Sequence, residues 1–167
     1  ELACMNRRWK WLLCTLILLV TLTAWYAMIQ HAHGSSMVLW QERPEQYAFR
    51  ASSTYICPNH FAHLLVMIIT LCTALVFNPA FGVSGRFVAG YGILVLLPPL
   101  YLSFSRSGWL GAASGVSIVL LLLAFKKSKV FFAFSLLAIP AVVGATFGVL
   151  WFRMEAFRDR IGAAIRG

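Results

Sequence analysis

Long apolar stretches alternate with short polar ones along this chain. Five runs stand out: Trp11–Ile29, Phe61–Phe77, Val88–Phe104, Gly108–Phe125 and Val130–Phe152, none with a charged residue in its middle. Each is close to the roughly 20 apolar residues a helix needs to cross a bilayer. Backbone placed in hydrocarbon must satisfy its own hydrogen bonds. Runs this long do so as helices, whereas a barrel would show short alternating strands. The pattern predicts an all-α fold: a polytopic transmembrane helix bundle of five spanning helices, expected to be a fragment of a larger bundle. On that reading residues 1–10 are a cytoplasmic stub. Residues 11–152 form the membrane region with an outer loop at 30–60, and residues 153–167 begin a truncated periplasmic loop.

Within the runs, small residues and prolines add detail. Gly111 and Gly115, with Ser107 one step earlier, form a stripe at helical spacing that predicts close approach of a neighbouring helix. Pro98-Pro99 and Pro140 predict kinks in the third and fifth helices. The loop Gln30–Asn59 is the one sizeable polar segment inside the chain. Its Trp40, Tyr47 and Phe49 among Glu42, Arg43, Glu45 and Arg50 predict a short stretch lying at the membrane interface.

Composition excludes an ordinary water-soluble domain. The chain is 60% hydrophobic and 11% charged, against about half and about a quarter for soluble proteins. The net charge of +9 falls in short clusters between apolar runs, where membrane topology accounts for it. No nucleic-acid-binding motif accompanies it, so nucleic acid is not an expected partner. Of the short-loop basic residues, seven (Arg7, Arg8, Lys10, Arg86, Lys126, Lys127, Lys129) fall on one side and three (Arg43, Arg50, Arg106) on the other. The excess predicts a cytoplasmic N-terminus, with Arg106 and the tail from Arg153 facing outward. The run after Lys10 is too long for a signal-peptide core and precedes further spans. Cys4, Cys14, Cys57 and Cys72 form no CxxC spacing, so neither a disulfide nor a metal site is expected. Glu1 in place of Met, and an end at Gly167 soon after the last run, lead us to expect a piece of a longer protein.

Chemistry concentrates at the predicted outer face, in RASSTYICPNHFA (Arg50–Ala62), SFSRS (Ser103–Ser107) and the stretch Arg153–Arg160. Arg106 has two readings. It is a polar hinge residue that snorkels to water, or it meets an anion. It lies where the charge bias gives it nothing, no acidic residue is near it in sequence, and serines flank it. An arginine at a helix N-terminus opposes the macrodipole, and a bound phosphate relieves that conflict through bidentate contact. Asn59 is read as a cap of the second helix, with Pro58 suiting a helix start. His60 is of the residue type that serves as acid or base, but such a histidine is more often an interfacial polar residue. His31, His33 and His63 form no metal-ligand spacing. Arg153, Arg158 and Arg160, interleaved with Glu155 and Asp159, fit a solvated amphipathic turn.

Taken together, Arg50–Ala62, then Ser105-Arg106-Ser107-Gly108, then the arginine-bearing stretch after the fifth run resemble the O-antigen ligase family of bacterial membrane glycosyltransferases, with its relatives the O-antigen polymerases and protein O-oligosaccharyltransferases. Ser53 stands where that family usually has Gly, and Cys57 where it has the first Asn of an Asn-Pro-Asn. The resemblance implies an inner-membrane enzyme of lipopolysaccharide biosynthesis. Such an enzyme moves a glycan from a polyprenyl-diphosphate carrier to a lipid or protein acceptor, lipid A-core foremost, among membrane lipids. It implies Arg106 as the catalytic diphosphate contact, Asn59, Arg153, Arg158 and Arg160 as further substrate-binding residues, and no cofactor or metal. His60 does not correspond to the family's catalytic histidine, which belongs to a large periplasmic loop. On its own, the chain is expected to lack activity. The rival readings are a transporter or permease fragment, which calls for binding groups near mid-membrane, and a non-catalytic structural membrane module.

Overall fold

A computed structural model describes residues 7–34, 37–47 and 49–127, together with 144 and 148. The chain divides into two compact units, Glu1–Val119 and Leu120–Gly167. The first unit contains helix α1 (Arg7–Ala32), a two-stranded hairpin of β1 (Met37–Val38) and β2 (Gln41–Glu42), a 3-10 turn at Glu45–Tyr47, helix α2 (Pro58–Val76), a 3-10 turn at Pro79–Phe81, helix α3 (Gly82–Leu102) and the first part of helix α4 (Arg106–Lys127). The unit boundary falls inside α4.

Among the described residues four helices are long and apolar enough to cross a membrane, the make-up of an all-α, multi-pass membrane protein. Of the fifth expected span, Val130–Phe152, only Gly144 and Gly148 are among the described residues, and Pro140 lies outside them. Helix α1 runs 26 residues, about 39 Å at 1.5 Å per residue, longer than the roughly 30 Å of hydrocarbon. It is apolar all round and buries one stripe, Ile17, Val20, Thr21, Ala24, Ala27 and Gln30. Leu18, Leu19, Leu22, Trp25 and Ile29 stay exposed, as lipid-facing side chains should. Two buried threonines in the helices bond within their own helix: Thr21 Oγ1 donates to Ile17 O (2.7 Å) and Thr73 Oγ1 to Ile69 O (2.8 Å).

Helix α3 packs against both α1 and α2. The three meet at Gly92, where an added Cβ would sit 2.9 Å from Ile17 Cγ2 and 3.4 Å from Cys72 Sγ. A hydrogen atom is what lets these helices close up. The glycine stripe of α4 does what its spacing predicts. Cβ atoms built at Gly108, Gly111 and Gly115 would lie 2.8, 3.4 and 2.6 Å from Ala62, Val66 and Thr70 of α2. Those contacts advance in step along both helices, so α2 and α4 run parallel with their N-termini at the same end.

Helix boundaries depart from the apolar runs where polar residues join a helix. Helix α3 starts at Gly82 and not at Val88, because Arg86 Nε donates to Val76 O at the end of α2 (2.6 Å) and ties the polar first turns down. Pro98 and Pro99 sit inside α3, close to its end at Leu102. The loop between α1 and α2 carries a hairpin. Its hairpin pairs Met37 with Glu42 and Val38 with Gln41. Gln30 Nε2 donates to Met37 O (2.7 Å) and fastens the hairpin to the end of α1.

Candidate functional site

The turn from α3 to α4 takes three residues, Ser103 to Ser105. Reversing direction that tightly puts Phe104 in the left-handed region at φ +48°, a conformation that disfavours a side chain with a Cβ. Side chains brace the turn. Tyr101 and Trp109 stack with centroids 5.7 Å apart and planes 7° from parallel. Trp109 Nε1 donates to Leu100 O (3.1 Å), and Ser103 Oγ donates to the same carbonyl (2.6 Å). Ser105 caps α4, its Oγ accepting from Gly108 N (3.1 Å). The Ser105 and Ser107 hydroxyls are in hydrogen-bond contact at 3.2 Å.

The remaining carbonyls at the end of α3 are satisfied from the outer loop. Ala51 N donates to Leu102 O (2.9 Å). Arg50 Nε donates to Ser103 O (2.7 Å), and Arg50 Nη2 donates to Phe104 O (3.3 Å) and to Asn59 Oδ1 (2.7 Å). One guanidinium thus joins the loop between α1 and α2, the C-terminus of α3 and the first turn of α2. Its charge also faces the negative end of the α3 macrodipole, the favourable pairing. Tyr47 contributes a cation–π contact, its ring centroid 5.7 Å from Arg50 Cζ. Burial lowers the Arg50 pKa from its ordinary value, with Cys57 and Tyr47 pulling the other way. From so high a starting point the group stays cationic. A second arginine holds the first in place: buried Arg43 donates through Nη1 to Arg50 O and to Tyr47 O.

Of the candidates read from sequence, Asn59 is not the cap of α2. Pro58 occupies the first helical position and pushes the preceding residue into extended backbone, so Cys57 (φ −93°, ψ 115°) takes the cap position, with no side-chain bond. Asn59 lies one residue further on, in the first turn, where it accepts from Arg50. Arg106 is the first residue of α4 and partly exposed. The Gly108–Ala62 contact sets the first turns of α4 and α2 side by side, so Arg106 and Asn59 share one end of the bundle. Arg153, Arg158 and Arg160 lie outside the described residues. Among the described residues no group of three or more His, Cys, Asp or Glu comes together.

Two features escaped the sequence. Arg50 was part of a motif there, but its partners include main-chain oxygens more than 50 residues away, and no residue type marks them. Ser53, buried at φ +54°, occupies a backbone conformation that favours glycine. Its hydroxyl donates to Thr23 O in α1 (2.8 Å). Comparison of the chain with protein-family models, with curated proteins and with solved structures finds no match in any of the three.

Proposed function

We propose that this chain belongs to a membrane glycosyltransferase of the O-antigen ligase type, working at the periplasmic face of a bacterial inner membrane, with its N-terminus cytoplasmic. The transferred glycan comes from a polyprenyl-diphosphate carrier and goes to a lipid or protein acceptor, lipid A-core foremost. The observation that carries the reading is the Arg50 junction. It gathers the N-termini of two parallel helices, Arg106 and Asn59, at one end of the bundle. Helix N-termini and guanidinium groups are both suited to oxyanions.

In this reading Arg106 contacts the diphosphate and stabilises the charge that grows as the glycosyl–oxygen bond breaks. Arg50 is a positioning residue, since its guanidinium is engaged by protein oxygens. Asn59, held by Arg50, orients the same end of α2. In this reading a base for the acceptor hydroxyl comes from the large periplasmic loop that the resemblance implies, and Arg153, Arg158 and Arg160 are further substrate-binding residues.

The test is Arg106→Ala in the full-length protein, expressed in cells lacking their own ligase, with glycan attachment read at matched protein level. Attachment falls by an order of magnitude or more, about the loss expected for one electrostatic contact to a developing anion. Arg106→Lys recovers part of it, because an ammonium keeps the charge without the planar fork. Unchanged attachment in Arg106→Ala rejects the diphosphate role.

A further inference from the structure

Away from the Arg50 junction, where α2 ends and α3 begins, the surface opens into a groove of about 630 Å³. Val76 of α2 and Arg86, Phe87, Gly90, Tyr91 and Leu94 of α3 line it. Apart from Arg86 and the Tyr91 hydroxyl, every side chain among these is apolar. Phe87 and Leu94 are 76% and 70% exposed, so they form rims and not core. Between them the floor is open: a Cβ built at Gly90 meets nothing within 4 Å. Arg86 stands at the mouth. Its Nε is held by Val76 O at 2.6 Å, which fixes the guanidinium plane. Among the described residues no further bond is made by its two Nη groups.

The order of these groups along α3 is what identifies the occupant. Arg86 lies in the second turn of a helix long and apolar enough to cross a membrane, near the end that would meet the headgroups. Leu94 is eight residues further on, about 12 Å deeper at 1.5 Å per residue. A cation at the shallow end and an apolar slot beneath it match a molecule with a phosphate at the interface and a hydrocarbon chain descending from it. A water-soluble ligand would need polar partners at depth. A second helix would need a flat seam of small residues, and Phe87, Tyr91 and Leu94 are large.

We propose that this groove is a binding site for an anionic phospholipid of the leaflet at the α2–α3 turn. The phosphate sits on Arg86 and one acyl chain lies over Gly90 between Phe87 and Leu94. The volume falls within the roughly 300–1,000 Å³ of sites that enclose a bound organic ligand, and single basic residues at this depth draw anionic headgroups. The lipid would also protect the Arg86–Val76 bond that closes the α2–α3 turn.

The experiment uses the full-length protein in nanodiscs of equal phosphatidylglycerol and phosphatidylcholine, transferred to detergent, with retained lipid counted by native mass spectrometry. The wild type retains phosphatidylglycerol in preference to phosphatidylcholine. Arg86→Gln lowers phosphatidylglycerol retention about fivefold, the factor one basic residue supplies near an anionic surface. Gly90→Leu puts a side chain into the slot from a Cβ that meets nothing within 4 Å, favours the helix, and lowers retention of both lipids while circular dichroism stays unchanged. Equal retention of the two lipids by the wild type, or undiminished phosphatidylglycerol on Gly90→Leu, overturns the proposal. So does a protein dimer, without bound lipid, that Gly90→Leu dissolves. Should Arg86→Gln fail to fold for want of its bond to Val76, Gly90→Leu decides alone.

Discussion

Removing the Arg50 side chain tests whether the outer loop is part of the folded bundle or lies on it. Arg50→Ala deletes three bonds at once: two at 2.7 Å, to Ser103 O and Asn59 Oδ1, and a longer one at 3.3 Å to Phe104 O. A hydrogen bond from a charged donor contributes about 1.5–3 kcal/mol where water cannot replace it. The guanidinium is half-buried, so water recovers part of the loss, and the two short bonds set a cost of about 2–4 kcal/mol. The α3 macrodipole also loses its cation, about 0.3–1 kcal/mol more. Asn59→Ala removes one of the three bonds and costs about 1–1.5 kcal/mol. Because Arg50 and Asn59 share that bond, the double variant is less destabilised than the sum by about 1 kcal/mol. Arg50→Lys falls between, since a single ammonium cannot span acceptors on two elements as the fork does. The assay is reversible unfolding in mixed micelles by raising the fraction of denaturing detergent, followed by circular dichroism. An Arg50→Ala protein within about 0.5 kcal/mol of wild type, the scatter of ordinary surface substitutions, would refute the reasoning.

The same unfolding assay reads three further substitutions. Ser53→Ala loses the bond to Thr23 O while keeping φ +54°, and is destabilised by about 1–2 kcal/mol. Ser53→Gly loses the bond but relieves the backbone and stays within about 0.5 kcal/mol of wild type. Cys57→Asn places a good cap where the present side chain makes no bond and stabilises by about 1 kcal/mol. Loss of stability there would show that the first N–H groups of α2 are satisfied in another way.

The helices were legible because bilayer thickness imposes a length and hydrocarbon imposes a composition. Both constraints act on each run separately, so Trp11–Ile29 and Gly108–Phe125 sit inside α1 and α4. The stripe at Gly111 and Gly115 was legible for the same local reason: spacing alone puts both on one face, and both meet α2. What failed was long-range and main-chain in character. Asn59 has the residue type of a cap, but Pro58 moved the cap to Cys57 and freed Asn59 to face Arg50. The first six residues of α3, from Gly82 to Phe87, look like a loop by composition, and become helix with Arg86 bonded to α2. Arg50 itself acts largely through carbonyl oxygens, which every residue possesses and no sequence pattern distinguishes.

The contact between α2 and α4 has a mechanical corollary. The side chains of Ala62, Val66 and Thr70 seat in the notches left by Gly108, Gly111 and Gly115, like pawls in a ratchet. A helix so engaged cannot creep along its neighbour. The height of Arg106 relative to Asn59 is thereby set by how the two helices seat.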